Sequence, residues 1–243
     1  MTLMKKLKQQ NRMQFYITEQ YACSYIQGLN ARSQVASPSH LINFDAYNVL
    51  VEDGFRRSGV FSYKPHCDKC QSCIPIRIPV KSFTPNKTQK RTKKKLFSML
   101  CPKEEELAFQ DEHYLLYKNY QLKRHPNSGM CEDSEEQYKQ FLLTSNVKTE
   151  LFTFRNGNGE LKMVCIFDVL KNGLSSVYTF FSTDSSSFSF GTYGILWQIE
   201  ECKKRGYDFL YLGYWINQSP KMSYKTKFKP FEILDQGQWI SGK

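Results

Sequence analysis

The sequence predicts an α/β protein in two parts: a small cysteine-rich domain over residues 1–95, followed by a larger domain over residues 96–243. Three observations support this. The chain has 243 residues, 40% of them apolar and 15% aromatic, which is enough to build a sizeable core. Residues up to about 92 are rich in Cys, Pro and Arg and show little periodicity. From residue 102 onward, helical and strand periodicities alternate.

The first domain contains one clear helix signal and one long basic run. The pattern predicts a short helix over residues 40–54, with Asn43 as N-cap and Gly54 as the stop. Seven basic residues and no acid lie in positions 81–95, which favours a linker or the exposed face of a crossing segment.

Two helices are predicted to open the second domain. The first covers residues 104–124, since three acids stand at its start, Lys123 and Arg124 at its end, and Pro126 follows. The second covers residues 134–145, with Ser134 as cap and Tyr138, Phe141 and Leu142 facing inward.

Three strands, a helix and a fourth strand are predicted to follow. The strands cover 149–155, 161–170 and 174–181, separated by NGNG and KNG turn signals. A helix over about 191–204 stops at Gly206, and residues 207–214 form the fourth strand. A helix that follows an antiparallel meander and returns to a strand is the core order of GNAT-type acyltransferases, so the sequence predicts a GNAT-like domain.

Charge and composition limit the function classes. A formal net charge of +11 and a pI near 9.2 point to a polyanionic partner, nucleic acid being the commonest, with a solubilising surface charge as the alternative. The aromatic content argues against disorder. The uncharged run 185–199 is too short to span a membrane, and the basic start leads into no apolar segment typical of a signal peptide. We therefore expect a cytoplasmic protein without membrane contact.

Cysteines form the strongest local motif. Cys67, Cys70 and Cys73 stand in a C-x2-C-x2-C run, and Cys23 lies 44 residues upstream. This spacing predicts a ligand set for structural zinc or an iron–sulfur cluster, with a redox-active dithiol or free thiols as alternatives and His66 as a substitute ligand. The cysteines outside the motif read as packing thiols; they are Cys101, Cys131, Cys165 and Cys202.

Several blocks then resemble a known family over residues 21–231. They are YACSYIQGLNAR at 21–32, GFRRSG at 54–59, YKPHCDKCQSCIPIR at 63–77, YTFF at 178–181, GT at 191–192, YLGY at 211–214 and MSYK at 222–225. The chain is identified by these blocks as a member of the aminoacyl-tRNA–protein transferases, most similar to the bacterial aspartate/glutamate leucyltransferases. Ser219 stands where the family usually has Cys.

The resemblance implies a reaction. Leucine passes from leucyl-tRNA to the N-terminal amine of proteins that begin with Asp or Glu, which marks them for the N-degron degradation pathway. Because an aminoacyl ester is already activated, no covalent enzyme intermediate and no cofactor for the chemistry are expected. The proton acceptor stays unassigned at this point.

Candidate substrate-binding residues follow from that reaction. An acceptor carboxylate needs a bidentate cation, and the candidates are Arg56, Arg57 and Arg77, with pairing to Asp45, Glu52 or Asp53 as the structural alternative. For aminoacyl-tRNA the candidates are Tyr178, Tyr211, Gly213, Tyr224, Lys225, Lys227 and Lys229, with Lys221 and Tyr214 beside them. Lys225 is the strongest single candidate, and the aromatic rings are equally typical of a core.

Three rival functions remain open on the sequence. An arginyl donor shares the same motifs. An acyl-CoA N-acetyltransferase of the same fold needs a glycine-rich pyrophosphate turn, and residues 187–194 lack its spacing and its leading Arg or Gln. A non-enzymatic RNA-binding protein fits the basic runs but leaves the acyltransferase-like half unexplained.

Overall fold

The computed structural model describes residues 13–126, 133–184 and 188–242. Within these ranges the chain forms two antiparallel sheets and one large mixed sheet. The N-terminal part is built on a four-stranded antiparallel sheet in the order β1-β4-β6-β5, beside the two-stranded pair β2-β3. Its strands are β1 (Gln14–Ile17), β2 (Tyr21–Ala22), β3 (Asn30–Ala31), β4 (Ser33–Ser37), β5 (Arg56–Ser58) and β6 (Phe61–Pro65).

The large sheet has eight strands among the described residues, in the order β14-β13-β7-β12-β11-β10-β9-β8. Only β11 and β12 are parallel; every other neighbouring pair is antiparallel. The strands are β7 (Ile74–Pro79), β8 (Cys101–Glu105), β9 (Thr149–Arg155), β10 (Leu161–Val169), β11 (Gly173–Phe181), β12 (Phe209–Trp215), β13 (Glu232–Asp235) and β14 (Gln238–Ser241).

Helices cover both faces of this sheet. They are α1 (Phe44–Glu52), α2 (Lys87–Phe97), α3 (Asp111–Arg124), α4 (Glu135–Tyr138), α5 (Phe190–Lys204) and α6 (Pro220–Ser223). A π turn (Lys139–Leu143) extends α4, and 3₁₀ turns lie at Ser39–Leu41 and Tyr224–Lys227. Across the described part of the chain, no helix combines the length and the apolarity that a membrane span requires.

Strand β10 shows how the core is divided. Met163, Cys165 and Phe167 pack in the cluster beneath α2 and α5, whereas Val164 and Ile166 pack in the cluster beneath α3. Because successive side chains of a strand point to opposite faces, a continuous apolar run is what a strand buried on both faces requires. A third cluster surrounds α1 and joins it to the large sheet.

The mixed α/β prediction and the division into N-terminal and C-terminal parts are confirmed, and so are the α1 caps. The Asn43 side chain accepts from Ala46 N, and Gly54 adopts φ +86°. Ser134 caps α4, and Tyr138 and Leu142 are buried as predicted.

Three predictions need correction. The helix predicted from residue 104 begins at Asp111, because Cys101–Glu105 pairs with β9 as strand β8. The lysine run is not a linker: it forms α2, which is capped by Asn86 and anchored by Leu96 in the core, and its lysines lie on the exposed side, as the other alternative predicts. Cys101 is exposed rather than packed, while Cys165 and Cys202 are buried as expected and Cys131 lies outside the described residues. The predicted boundary near residue 95 stays a prediction, although β7 precedes it and lies inside the large sheet.

Candidate active site

The central parallel strands of the large sheet separate along their length. β11 and β12 pair only where Gly173–Ser175 meets Phe209–Tyr211. Beyond that point β12 carries a register shift against β7 between Tyr211 and Tyr214, with Gly213 at φ +72°. The later backbone groups of β11 therefore have no hydrogen-bonding partners in β12, and the two strands diverge; the gap between them is termed the cleft.

Arg56 fills the start of this cleft. Its Nη2 donates to Ser176 O at 2.6 Å and to Val177 O at 3.2 Å, which satisfies carbonyls that the strand separation would leave free. A Cβ added at Gly213 would overlap the guanidinium of Arg56. The glycine is therefore required both by its positive φ and by the close approach of the arginine.

The register of the small sheet brings tyrosines to the same place. Arg56 pairs with Tyr63 across β5 and β6, and the Tyr214 hydroxyl donates to Gly54 O at 2.9 Å. Burial raises the pKa of Tyr63, raises that of Tyr214 well above the usual range, and raises that of Tyr224 to about 12, although the positive charge of Arg56 opposes each shift. At neutral pH these phenols are neutral hydrogen-bonding groups around a cation.

Lys225 closes the cleft from the side of β12. Its Nζ donates to Leu212 O at 2.9 Å and to Tyr214 O at 2.7 Å, and so bridges the carbonyls on either side of Gly213. The side chain is buried rather than solvated, which removes the solvated-face alternative. Burial, and then the charge of Arg56, lower the pKa of Lys225 to about 7.

The other two predicted arginines bind acids of the chain itself. Arg57 pairs with Asp168 at 3.0 Å, and Tyr47 and Thr149 also donate to that carboxylate. This node is almost completely buried.

Arg77 pairs with Glu52 at 3.1 Å and with Glu232 at 2.7 Å, and its guanidinium lies 3.6 Å from the ring centroid of Phe209. Among the described residues, Arg56 alone of the three predicted arginines has no ion-pair partner. The structural alternative thus holds for Arg77 through Glu52. Arg57 also forms a structural pair, but with Asp168 and not with one of the predicted acids, and Arg56 remains the candidate for an acceptor carboxylate.

The predicted RNA-binding residues separate in the same way. Tyr211 is buried, and its hydroxyl lies between Glu52 and Arg77, so it belongs to the core network and not to a stacking surface. Tyr178 is half-buried on β11 beside the cleft and accepts from Gln121 Nε2 at 3.0 Å.

The lysines after Lys225 lie outside the cleft. Lys227 and Lys229 are exposed, and the backbone carbonyl of Lys227 accepts from Gln89 of α2. The basic turn is therefore continuous with the basic helix.

The four motif cysteines share one region beside the cleft. Burial raises the pKa of Cys73 to about 12, and negative charge on Cys23, Cys67 and Cys70 adds to the shift. Thiolates suit a soft cation by their chemistry. In the described part of the chain, however, no three His, Cys, Asp or Glu side chains are arranged to hold a metal ion, so the donors do not fit one in this arrangement.

The sequence analysis did not single out all of the tyrosines that lie around Arg56. Tyr25 and Tyr63 both lie close enough to Arg56 for its positive charge to oppose the rise in their pKa values, and Tyr120 lies close enough to Tyr224 to add to the rise in its pKa. The position of Tyr63 in the YKPHC block was the available signal. Its role depends on the β5-β6 register, which has no sequence signature of its own.

Comparison with known proteins places the chain. Residues 21–91 match the family model described as arginine-tRNA-protein transferase, N terminus, and residues 112–235 match its counterpart for the C terminus. The chain belongs to this family. The resemblance found in the sequence blocks is thereby confirmed, and the protein is a transferase.

Named relatives match nearly the full length of the chain. The chain is 50% identical over 231 residues to a protein of Thiobacillus denitrificans, covering 94% of each chain. It is 46% identical over 244 residues to one of Polynucleobacter asymbioticus, covering 98% of each. Both relatives are named aspartate/glutamate leucyltransferase.

Solved structures support the fold at much lower identity. The chain is similar to L-PGS from Bacillus licheniformis with a TM-score of 0.52 and 14% identity, over 71% of this chain and 59% of that one. It is similar to FemX with a TM-score of 0.50 and 10% identity, over 93% and 86%. These likenesses concern the fold alone.

Proposed function

We propose that this protein transfers leucine from leucyl-tRNA to the N-terminal amine of proteins that begin with Asp or Glu, in the cytoplasm and as a step of the N-degron pathway. The observation that carries this proposal is the close identity, over nearly the full length of both chains, to relatives that bear the name aspartate/glutamate leucyltransferase. The arginyl donor is the second candidate because the matching family models are described by arginine.

The proposal includes a GNAT-like core. It is supported by the parallel pair β11-β12, by the separation of these strands beyond Ser175, and by helix α5, which connects them. A cleft between separated parallel strands exposes backbone groups of β11 to a ligand, and we assign it to the aminoacyl ester and the acceptor amine.

Lys225 is our candidate for the proton acceptor. The attacking α-amine must lose a proton as the amide bond forms and the ester bond to the terminal ribose breaks. A neutral lysine amine has two N–H groups and one lone pair. Since both N–H groups donate to Leu212 O and Tyr214 O, the lone pair stays free to accept a proton. A pKa of about 7 makes the neutral form abundant at neutral pH.

Arg56 is our candidate for binding the acceptor's Asp or Glu side chain. It lies in the cleft, it is bound there only through Nη2 to carbonyls of β11, and no acid of the described chain neutralises it. A charged guanidinium beside neutral tyrosines favours an incoming carboxylate.

Cys23, Cys67, Cys70 and Cys73 remain our proposed ligand set for structural zinc or an iron–sulfur cluster. The support is the C-x2-C-x2-C spacing and the proximity of all four thiols, not the present arrangement of donors. Metal analysis of the purified protein, with Cys73→Ser as the comparison, tests this assignment directly.

The transfer assay tests the activity. Purified protein is mixed with tRNA charged with labelled leucine or arginine, and with peptides that begin with Asp, Glu, Lys or Ala. Label from leucine on the Asp and Glu peptides alone is the expected result. Transfer of arginine instead would keep the family and replace the donor. Binding of tRNA without any transfer would favour the RNA-binding rival.

The Arg56→Gln variant tests the acceptor site. We expect kcat/KM for Asp and Glu peptides to fall by about 10- to 100-fold, since a charge-assisted contact contributes about 1.5–3 kcal/mol. Arg155→Gln is the matched control, because Arg155 is paired with Glu112 on the outer face of α3. An equal fall in tRNA affinity for Arg56→Gln would count against the assignment.

A further inference from the structure

A second site lies between α2 and α5, on the face of the sheet away from α3. The two helices run antiparallel and leave a groove of about 480 Å³. Along α2 it is lined by one stripe with i, i+3, i+4, i+7 spacing, and along α5 by another stripe. The lining residues are Lys90, Lys93, Lys94 and Phe97 of α2, Tyr193, Trp197 and Glu200 of α5, and Pro85 before α2.

The α2 wall of the groove is strongly cationic. Six of the eleven residues of α2 are basic and none is acidic. Among the described ion pairs, only Lys93 of this helix has an acidic partner, Glu200 at 3.0 Å, and Lys203 also approaches that carboxylate. Like charges at i, i+4 destabilise a helix, so the remaining lysines form a surface that gains stability by binding an anion.

The groove also presents aromatic surface. The Phe97 side chain is 68% exposed at the end of the lysine stripe, an unusual position for a large apolar ring. The rings of Tyr193 and Trp197 are buried and form the floor. A ring beside lysines is the combination that binds single-stranded nucleic acid, because bases stack on the ring and phosphates meet the amines.

A series of rings connects this groove to the cleft. Lys95 Nζ lies 4.3 Å from the ring centroid of Phe188, and the Phe188 centroid lies 5.6 Å from that of Phe190. The Phe190 ring lies 5.8 Å from Phe181, the last residue of β11. The C-terminal end of α2 and the open end of the cleft therefore lie at the same edge of the sheet.

We propose that the α2–α5 groove binds an unpaired stretch of the donor RNA, upstream of the 3′ end that enters the cleft. A base stacks on Phe97, and the adjoining phosphates are bound by Lys90 and Lys94. The proposal rests on the function proposed above. In this arrangement the groove binds the RNA, whereas the cleft recognises the amino acid.

The experiment compares two leucine donors, full-length leucyl-tRNA and a leucyl-CCA trinucleotide. For Lys90→Gln with Lys94→Gln, and for Phe97→Ala, we expect the KM for leucyl-tRNA to rise about 10-fold. The KM for the trinucleotide stays unchanged, because it is too short to reach the groove. Phe97→Trp restores binding since it restores a stacking surface. The double lysine variant lowers the salt slope of tRNA binding by about 2.

A charge-matched control is Lys148→Gln with Lys171→Gln. These side chains are 66% and 62% exposed at the opposite end of the sheet, so the same loss of charge leaves both KM values unchanged. An unchanged KM for leucyl-tRNA in the groove variants would overturn the proposal. So would an equal loss with both donors, or a raised KM for the acceptor peptide, which would identify an acidic peptide as the occupant.

Direct titration of uncharged tRNA keeps this inference separate from the proposed function. If the wild-type protein transfers leucine to no peptide but the groove variants still weaken tRNA binding about 10-fold, the function fails and the groove assignment stands. If transfer proceeds and tRNA binding is unaffected by every groove variant, the proposed function stands and the groove assignment fails.

Discussion

Gly213→Ala is the sharpest test of how the cleft is built. A residue with a side chain at φ +72° costs about 1–2 kcal/mol relative to Gly. The new Cβ also overlaps the Arg56 guanidinium, so the arginine must leave Ser176 O and Val177 O. Losing a charged donor from buried carbonyls adds about 1.5–3 kcal/mol. We therefore expect the free energy of unfolding to fall by about 2.5–5 kcal/mol.

Gly206→Ala is the matched control, because Gly206 has φ +75° and no atom within 4 Å of an added Cβ. It should cost only the conformational term of about 1–2 kcal/mol. Urea unfolding followed by tryptophan fluorescence measures both variants. In an Arg56→Ala background, Gly213→Ala should cost no more than Gly206→Ala does, since the obstacle has been removed. If Gly213→Ala lowers the free energy of unfolding equally with and without Arg56, the arginine is not the obstacle to a side chain at this position.

Two further predictions concern buried charges. The folded-state pKa of Lys225, about 7, lies below its ordinary value of 10.5, so the unfolded chain binds more protons between these values and stability rises with pH there. In the wild type this contribution raises the free energy of unfolding by about 2 kcal/mol between pH 7 and pH 9, and Lys225→Met should remove it. Urea unfolding of the wild type and of the variant at both pH values measures the difference. Asp168→Asn leaves Arg57 buried without its partner and should cost about 3–5 kcal/mol. For the exposed pair of Lys81 and Asp208, Asp208→Asn should cost less than about 1 kcal/mol, and similar losses for the two variants in thermal unfolding would contradict this account.

Much of the local structure in both parts of the chain could be predicted from the sequence. The strands around the NGNG and KNG turns, the α1 and α4 caps and the stop at Gly206 all depend on residues close together in the chain. Along β12, Phe209 and Tyr211 pack in one core cluster and Leu210 and Leu212 in another, as the alternation of a strand requires. The position of such elements is set by residues that are close together in the sequence.

The missed elements depend on distant partners. Cys101–Glu105 is rich in acids and lysine, and it is a strand only because β9 offers it an edge. Likewise, α2 is strongly charged and buries only Gln89 and Leu96, although a capping box of Asn86 and Gln89 begins it. A charged run on its own predicts a solvated segment. That it packs on a sheet can be seen only from the fold.

The site was predicted by motif but not by geometry. The GFRRSG block made Arg56 and Arg57 equal candidates for binding the acceptor carboxylate. In the structure, the β5-β6 pairing places Arg56 in the cleft and Arg57 against the buried Asp168. Adjacent residues of a strand point to opposite faces, so the strand assignment alone would have separated them. The identities of their partners, more than 100 residues away, required the fold.

Strand β7 has an evolutionary consequence. It belongs to the N-terminal match, yet it lies between β12 and β13 of the C-terminal half and pairs with both. Neither half of the gene encodes the complete eight-stranded sheet, since cutting the chain after β7 leaves β12 with an exposed hydrogen-bonding edge. The two halves must therefore be inherited together. Neither is available to be recombined with foreign partners, and a substitution that widens the cleft in one half is constrained by the strand that the other half supplies.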